Sequence, residues 1–303
     1  MGRYRLAAAL AAVYLIWGST YLAIKHMVTG FPPLVGIGIR FLVAGSILAA
    51  VTGRRVTGIG LRQWRSALEV GALLVVGGTG LVAVAEAGGI GSGIAATAAA
   101  SIPLWTVLIG GAMGSWPTGR EWVGIAVGVA GVGLLSFEGD FSANPSAAAV
   151  MIAAPVLWAL GSVRRPRLDL PPGIAGVAAE MMAGGAVAIV LGLARGERFT
   201  GAPSIEAWLA LAYLVVFGSI VAFSAYMYLL ETVRPALATS YAYVNPIVAM
   251  GLGLGLGAES VSGHALAALP LILGGVVIIS VRRAGLPTPR RVPARGREAV
   301  ASA

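Results

Sequence analysis

Apolar stretches of about 20 residues, each wide enough to cross a hydrocarbon core of about 30 Å, recur along the chain. The pattern predicts helices at roughly 5–25, 33–52, 66–86, 93–114, 121–137, 146–163, 173–194, 206–230, 236–257 and 264–281. The breaks carry Pro, Gly and charge: Phe31-Pro32-Pro33, Arg54-Arg55, Trp116-Pro117-Thr118-Gly119, Glu138-Gly139-Asp140, Asp169-Leu170-Pro171-Pro172 and Arg195-Gly196-Glu197-Arg198. The first apolar run follows Arg3 and Arg5 and continues to about Ile24. That is too long for a cleaved signal, so it is read as a retained helix. Residues 283–303, rich in Pro and Arg, are expected to form a disordered cytoplasmic tail.

The pattern occurs twice. Gly18-Ser19 returns 143 residues later as Gly161-Ser162, and at the same shift the stretch 94–103 overlays 237–246, keeping two alanines and the proline. With five helices per copy, the second copy enters the membrane from the opposite side. The expected fold is therefore all-α and integral to the membrane: ten transmembrane helices as two inverted five-helix repeats, at 5–138 and 146–282. Such repeats surround a solute site near the bilayer midplane and carry out alternating access.

Composition sharpens this picture. The chain is 58% hydrophobic and 11% charged, against about 25% charged in a soluble domain. Its net charge of +9 marks membrane topology rather than a nucleic-acid partner. Assigning connections alternately to two sides puts 17 arginines with the termini: Arg3, Arg5, Arg54, Arg55, Arg62, Arg65, Arg120, Arg164, Arg165, Arg167, Arg234 and six in the tail. The other side collects three cations, Lys25, Arg195 and Arg198. Both termini are then cytoplasmic, in a bacterial inner membrane. There is no cysteine, which excludes disulfides and thiol chemistry. No Walker motif is present, and His26 and His264 fall on the outer side without a metal-spaced partner. No catalytic residue, metal or cofactor is expected, and a polytopic membrane enzyme is the weaker alternative.

Arg40 and Glu180 each lie about seven residues into a predicted span, in segments that overlay at a shift of 140 residues. Charges at this depth face a bundle interior or water. Arg40 is a candidate for binding a substrate carboxylate or for gating, and Glu180 for gating or proton coupling; the bland alternative is that each caps backbone carbonyls. Pro103 and Pro246 sit mid-helix and free the carbonyls of Ala99 and Ala242, as in the broken helices of transporters. Polar and aromatic stripes add candidate lining residues: Tyr14, Trp17, Ser19 and Tyr21 on the first helix, and Thr97, Ser101 and Trp105 on the fourth. Trp158 and Ser162 are on the sixth helix, Ser224 and Tyr228 on the eighth, and Tyr241 and Asn245 on the ninth. Together they suit a small amphipathic solute. Trp64, Trp116, Trp122 and Trp208, near helix ends, read as an interfacial belt. Gly124, Gly128, Gly251, Gly253, Gly255 and Gly257 offer small faces for helix packing, and a homodimer through the fifth or tenth helix stays open. Of Glu86, Glu138, Asp140, Glu197 and Glu206 on the outer side, and Asp169 and Glu231 on the inner, most are expected to be solvated; Glu86 and Glu231 flank cavity candidates and are open to a gating role.

The motifs Tyr14-Leu15-Ile16-Trp17-Gly18-Ser19-Thr20, Arg40-Phe41, the Ala-rich run ending at Pro103, Ala236 to Asn245-Pro246, Glu259 and Gly274-Gly275 stand in a fixed order. In these, over residues 5–282, the chain resembles the ten-helix EamA-type branch of the drug/metabolite transporter superfamily. The branch usually places Gly-Glu after the fourth and ninth helices. Here Ala258 precedes Glu259, and Met113-Gly114-Ser115-Trp116-Pro117 lacks the acid. The resemblance implies export of amino acids or related metabolites through central helices, with the fifth and tenth peripheral. Uptake and nucleotide-sugar exchange remain alternatives within transport. The implied partners are a small-molecule substrate and the lipid bilayer.

Overall fold

A computed structural model describes residues 2–53, 56, 58–114, 116–137, 139–232, 241–256 and 262–280. Arg54, Arg55, Glu138, Arg234, residues 236–240, Gly257, Glu259 and the 283–303 tail lie outside these residues, as do the side chains of Glu231 and Tyr243. The described residues form helices joined by short turns, without strands. The main helices are α1 (Gly2–Met27), α2 (Pro33–Thr52), α3 (Leu61–Ala87), α4 (Ser92–Ala112) and α5 (Gly119–Leu134). They continue with α6 (Pro145–Arg164), α7 (Ile174–Ala194), α8 (Ile205–Tyr213 with Leu214–Val221 and Ala222–Thr232), α9 (Tyr241–Gly255) and α10 (Gly263–Ser280). Seven of them, α1 to α4 and α6 to α8, are long and apolar enough to cross a bilayer. The chain is an integral membrane protein.

Helix starts follow local chemistry. Pro33 opens α2, where the missing amide costs nothing. The next donors, the amides of Leu34 and Val35, donate to Glu197 Oε2 at 2.9 and 3.1 Å. Asp140 Oδ2 accepts from the Gly91 amide at 2.9 Å, just before α4. These two carboxylates are thus not simply solvated, as their loop positions suggested: each satisfies amides that no intrahelical carbonyl can reach. Thr118 and Glu121 form a reciprocal cap on α5.

Two departures from plain α-helix matter for the site. In α4 the regular winding breaks at Ala100 and Ser101, just before Pro103. In α3 and α8 the middle of the helix is π-wound, over Ala72–Gly80 and Leu214–Val221. The two wide stretches begin 142 residues apart, close to the sequence repeat.

Packing follows a paired scheme. α1 lies against α8 and α9, and α6 against α3 and α4; α7 meets α3, and α2 meets α8. Moving each partner five helices along turns the first member of each pair into the second. Three further contacts, α2 with α7, α5 with α10 and α4 with α9, map onto themselves. The first two are antiparallel glycine seams. Gly38 abuts Gly185 and Ile189, whereas Gly45, two turns on, abuts Ala178 and Met182. Gly124 faces Gly275 and Ile279, and Gly131 faces Ile272. Lipid supplies no hydrophobic drive between helices, so such close approach is what holds them together. Gly251 and Gly255, expected to act similarly, have nothing among the described residues within reach of an added methyl.

Candidate functional site

Where α1, α3, α4, α6 and α9 converge, two adjoining cavities of about 90 and 240 Å³ share Tyr21, Ala99, Ile102, Trp158, Tyr241 and Asn245 as walls. α2 contributes Arg40 and Phe41, and α8 contributes Phe223 and Tyr226. Among the described residues α5 and α7 add nothing to either wall, and α10 adds Ile279.

The π-wound stretches bear on the walls: that of α3 lines one cavity through Gly78 and Thr79, and that of α8 holds wall residues from behind. On α8, Gly218 O accepts from the Trp17 indole N–H at 3.1 Å, and Ser219 Oγ accepts from Arg40 Nε at 2.9 Å. On α3, the Trp158 ring lies directly against Gly78, where any side chain would collide with it. In each case, then, a tryptophan from the first helix of one half meets a glycine in the wide turn of the third helix of the other half. The Trp17 ring is boxed by Tyr241, Tyr226 and Phe223, with centroids 4.9, 5.1 and 5.4 Å away. Aromatic pairs in edge-on contact prefer such spacings.

Arg40 is 3% exposed. Its guanidinium sits 4.7 Å from the Phe41 ring centroid, Nε is held by Ser219, and Nη1 has no hydrogen-bond partner among the described residues. A buried charged donor left open is costly unless something else completes it. Asn245, 6% exposed, turns its amide nitrogen toward the carbonyls of Tyr14 at 3.3 Å and Tyr241 at 3.2 Å in the orientation that satisfies it. Three wall hydroxyls are spent internally: Thr20 donates to Trp17 O at 2.6 Å, Ser162 to Trp158 O at 2.8 Å and Thr106 to Ile102 O at 2.9 Å.

Of the residues singled out from sequence, Trp17, Tyr21, Arg40, Trp158, Ser162, Tyr241 and Asn245 line these cavities, as do Pro103 and Pro246. The others do not. Ser19 bonds Tyr213 at 2.6 Å toward α8. Thr97 is buried beside Gly93 and Met250, and Ser101 accepts from Trp105 within α4. Ser224 is exposed and donates to Ile220 O, while Tyr228 packs with Trp17's cluster outside the walls. Tyr14 reaches the site through its carbonyl. Thr20, Thr79, Phe223 and Tyr226 line the space without having been anticipated. Glu86, expected to be solvated, is 3% exposed.

Glu180 lies away from the cavities. Its carboxylate pairs with Arg165 Nε at 3.0 Å, and the two side chains are 10% and 31% exposed. Nearby, Arg164 pairs with Glu69 on α3, and Arg62 lies 3.7 Å from Asp169. These pairs tie the ends of α3, α6 and α7 together. Glu180→Gln is expected to lower stability by roughly 1–3 kcal/mol, because Arg165 is left half-buried beside a neutral group. The double change Glu180→Leu, Arg165→Met should recover most of that loss. Thermal unfolding in detergent reads both, and equal destabilisation by the single and double variants would contradict it.

A model of the EamA-like transporter family matches residues 5–137 and again 145–281. The chain is 44% identical over 279 residues to the uncharacterized inner membrane transporter YedA of Escherichia coli (strain K12), covering 91% of this chain and 90% of that protein. Protein PecM of Dickeya dadantii (strain 3937) is 23% identical over 268 residues, 87% of this chain and 88% of PecM. A crystal structure superposes with a TM-score of 0.60 at 21% identity, over 91% of this chain and 97% of that one, which establishes a likeness of fold.

Proposed function

Because the chain belongs to the EamA-like transporter family and is a membrane transporter, we propose that it is a secondary carrier exporting small metabolites, with apolar or aromatic amino acids as cargo. It works by alternating access between two inverted five-helix repeats, 5–138 and 146–282. The antiparallel seams support the inversion. In the α2–α7 seam, Gly185 faces Leu42, 143 residues before it, which is the shift of the sequence repeat. A contact that maps onto itself in this way is what a two-fold axis in the membrane plane demands.

The observation that carries the cargo reading is Arg40: a buried guanidinium that lines an aromatic-walled cavity between the halves, with one nitrogen unpartnered among the described residues. A carboxylate completes it, and the rings of Trp17, Tyr21, Trp158 and Tyr241 accept an apolar or aromatic side chain. Asn245 and Ser162 add polar contacts, and Pro103 and Pro246 loosen α4 and α9 beside the wall. Glu180, with Arg165, acts as a gate element at the helix ends. The arginine bias supports a bacterial inner membrane location with both termini cytoplasmic.

Cells overexpressing the protein are expected to accumulate phenylalanine, tyrosine or branched apolar amino acids in the medium, with Arg40→Ala as the inactive control. If no amino acid accumulates outside, amino acids are not the cargo.

A further inference from the structure

We infer that the cavity reads the carboxylate of its cargo and not the amine, so that its cargo class is small aromatic monocarboxylates, with or without an amino group, and aromatic amines are refused. This rests on the reading that these cavities hold the cargo. Recognition of an ammonium needs acceptors for up to three N–H groups, preferably with a negative charge. Among the described residues neither cavity is lined by Asp or Glu. Glu86, one helical turn beyond the lining residue Val82, lines neither. Thr20, Ser162 and Trp17 donate to helix carbonyls, so an ammonium meets neutral hydroxyls, among them those of Tyr21, Thr79, Tyr226 and Tyr241, and no charged acceptor in the described wall. The Asn245 amide nitrogen likewise faces the Tyr14 and Tyr241 carbonyls.

Against this, Arg40 puts a full positive charge in the wall, fixed in direction by Ser219 and by the Phe41 ring, with Nη1 unpartnered. Aromatic faces attract cations. In a cavity that already contains a guanidinium, however, a second cation is repelled, whereas a carboxylate neutralises the first. The electrostatic order is therefore an aryl carboxylate at least level with the zwitterionic amino acid, and both far ahead of the aryl amine.

The test uses three probes with the same ring and chain: 3-phenylpropionate, phenylalanine and 2-phenylethylamine. Each is titrated near neutral pH into the full-length protein in nanodiscs, following tryptophan emission, to which Trp17 and Trp158 at the wall contribute. Phenylpropionate and phenylalanine are expected to bind, and phenylethylamine at least about tenfold more weakly, since like charges in contact are strongly disfavoured. Binding of phenylalanine without phenylpropionate, or of the amine as tightly as the acids, overturns this inference while leaving amino acid export standing. Binding of phenylpropionate without phenylalanine sustains the reading of the carboxylate, overturns the tolerance of an amino group and removes amino acids as cargo. Binding of none of the three overturns both.

Discussion

Replacing Arg40 by methionine is expected to weaken cargo binding roughly ten- to a hundredfold while leaving the protein as stable as before, or more so. Hydrogen bonds to a charged group contribute about 1.5–3 kcal/mol, and each 1.4 kcal/mol is a factor of ten. The stability half of the prediction follows from burial. Arg40 is 3% exposed and its Nη1 is open, so the empty cavity carries the desolvation cost of a charge without full compensation. Methionine fills a similar volume without that cost. Ser219 loses a donor, but its hydroxyl can turn to a carbonyl of its own helix, as Ser224 does to Ile220. Arg40→Lys keeps the charge without the planar fork and should fall between. Binding measured beside thermal unfolding separates the two effects. Unchanged affinity in a folded Arg40→Met protein would remove Arg40 from the cargo site.

Gly71→Leu should prevent stable assembly, costing about 3 kcal/mol or more. Gly71 on α3 faces the backbone of α7: an added methyl would strike Glu180 O and come within 2.7 Å of Gly184 N. Reciprocally, a methyl at Gly184 would lie 2.6 Å from Gly71 O. Backbone cannot rotate aside as a side chain does, so the helices must part along their length. Their separation would also shift Glu180, which stands at that crossing and holds Arg165. Gly251→Leu provides the contrast, since nothing lies within 4 Å of its added methyl. It is expected to be neutral or to stabilise by up to about 1 kcal/mol through helix propensity. Monodisperse yield and unfolding temperature compare the two, and similar behaviour would show that the α3–α7 contact is not needed.

The helices were legible from sequence because apolar length is a strong signal in a membrane protein. α2, α6 and α7 begin and end within a residue or so of the expected positions. α3 starts earlier than expected, at Leu61, because its first turns carry Arg62, Arg65 and Glu69 and read as a polar loop. Of these, Glu69 pairs with α6 and Arg62 with the segment after it. Which side chains meet was far less legible. On α8, Ser224 and Tyr228 share a face by simple spacing, yet Phe223 and Tyr226 line the cavities. The π-wound stretch Leu214–Val221 rotates everything after it, and an apolar helix has no polar face to betray the rotation. Arg40, Trp17 and Trp158 were found because a charge or a large amphipathic ring deep in a span must have a reason to be there. Thr20 and Thr79 lack that signal, since a hydroxyl can be satisfied by its own helix.

The wide turns in α3 and α8 carry slack of a particular kind. A helix that gives up one residue of such a turn regains ordinary winding, and its far end swivels by about 100° relative to the near end. On α3 that swivel falls between Glu69, tethered to Arg164, and Gly78, on which Trp158 rests. On α8 it falls at Gly218 and Ser219, which brace Trp17 and Arg40. Rewinding either stretch would re-aim the solute-facing rings against the charged rim with every helix still seated beside its neighbours, a twist in place of a hinge.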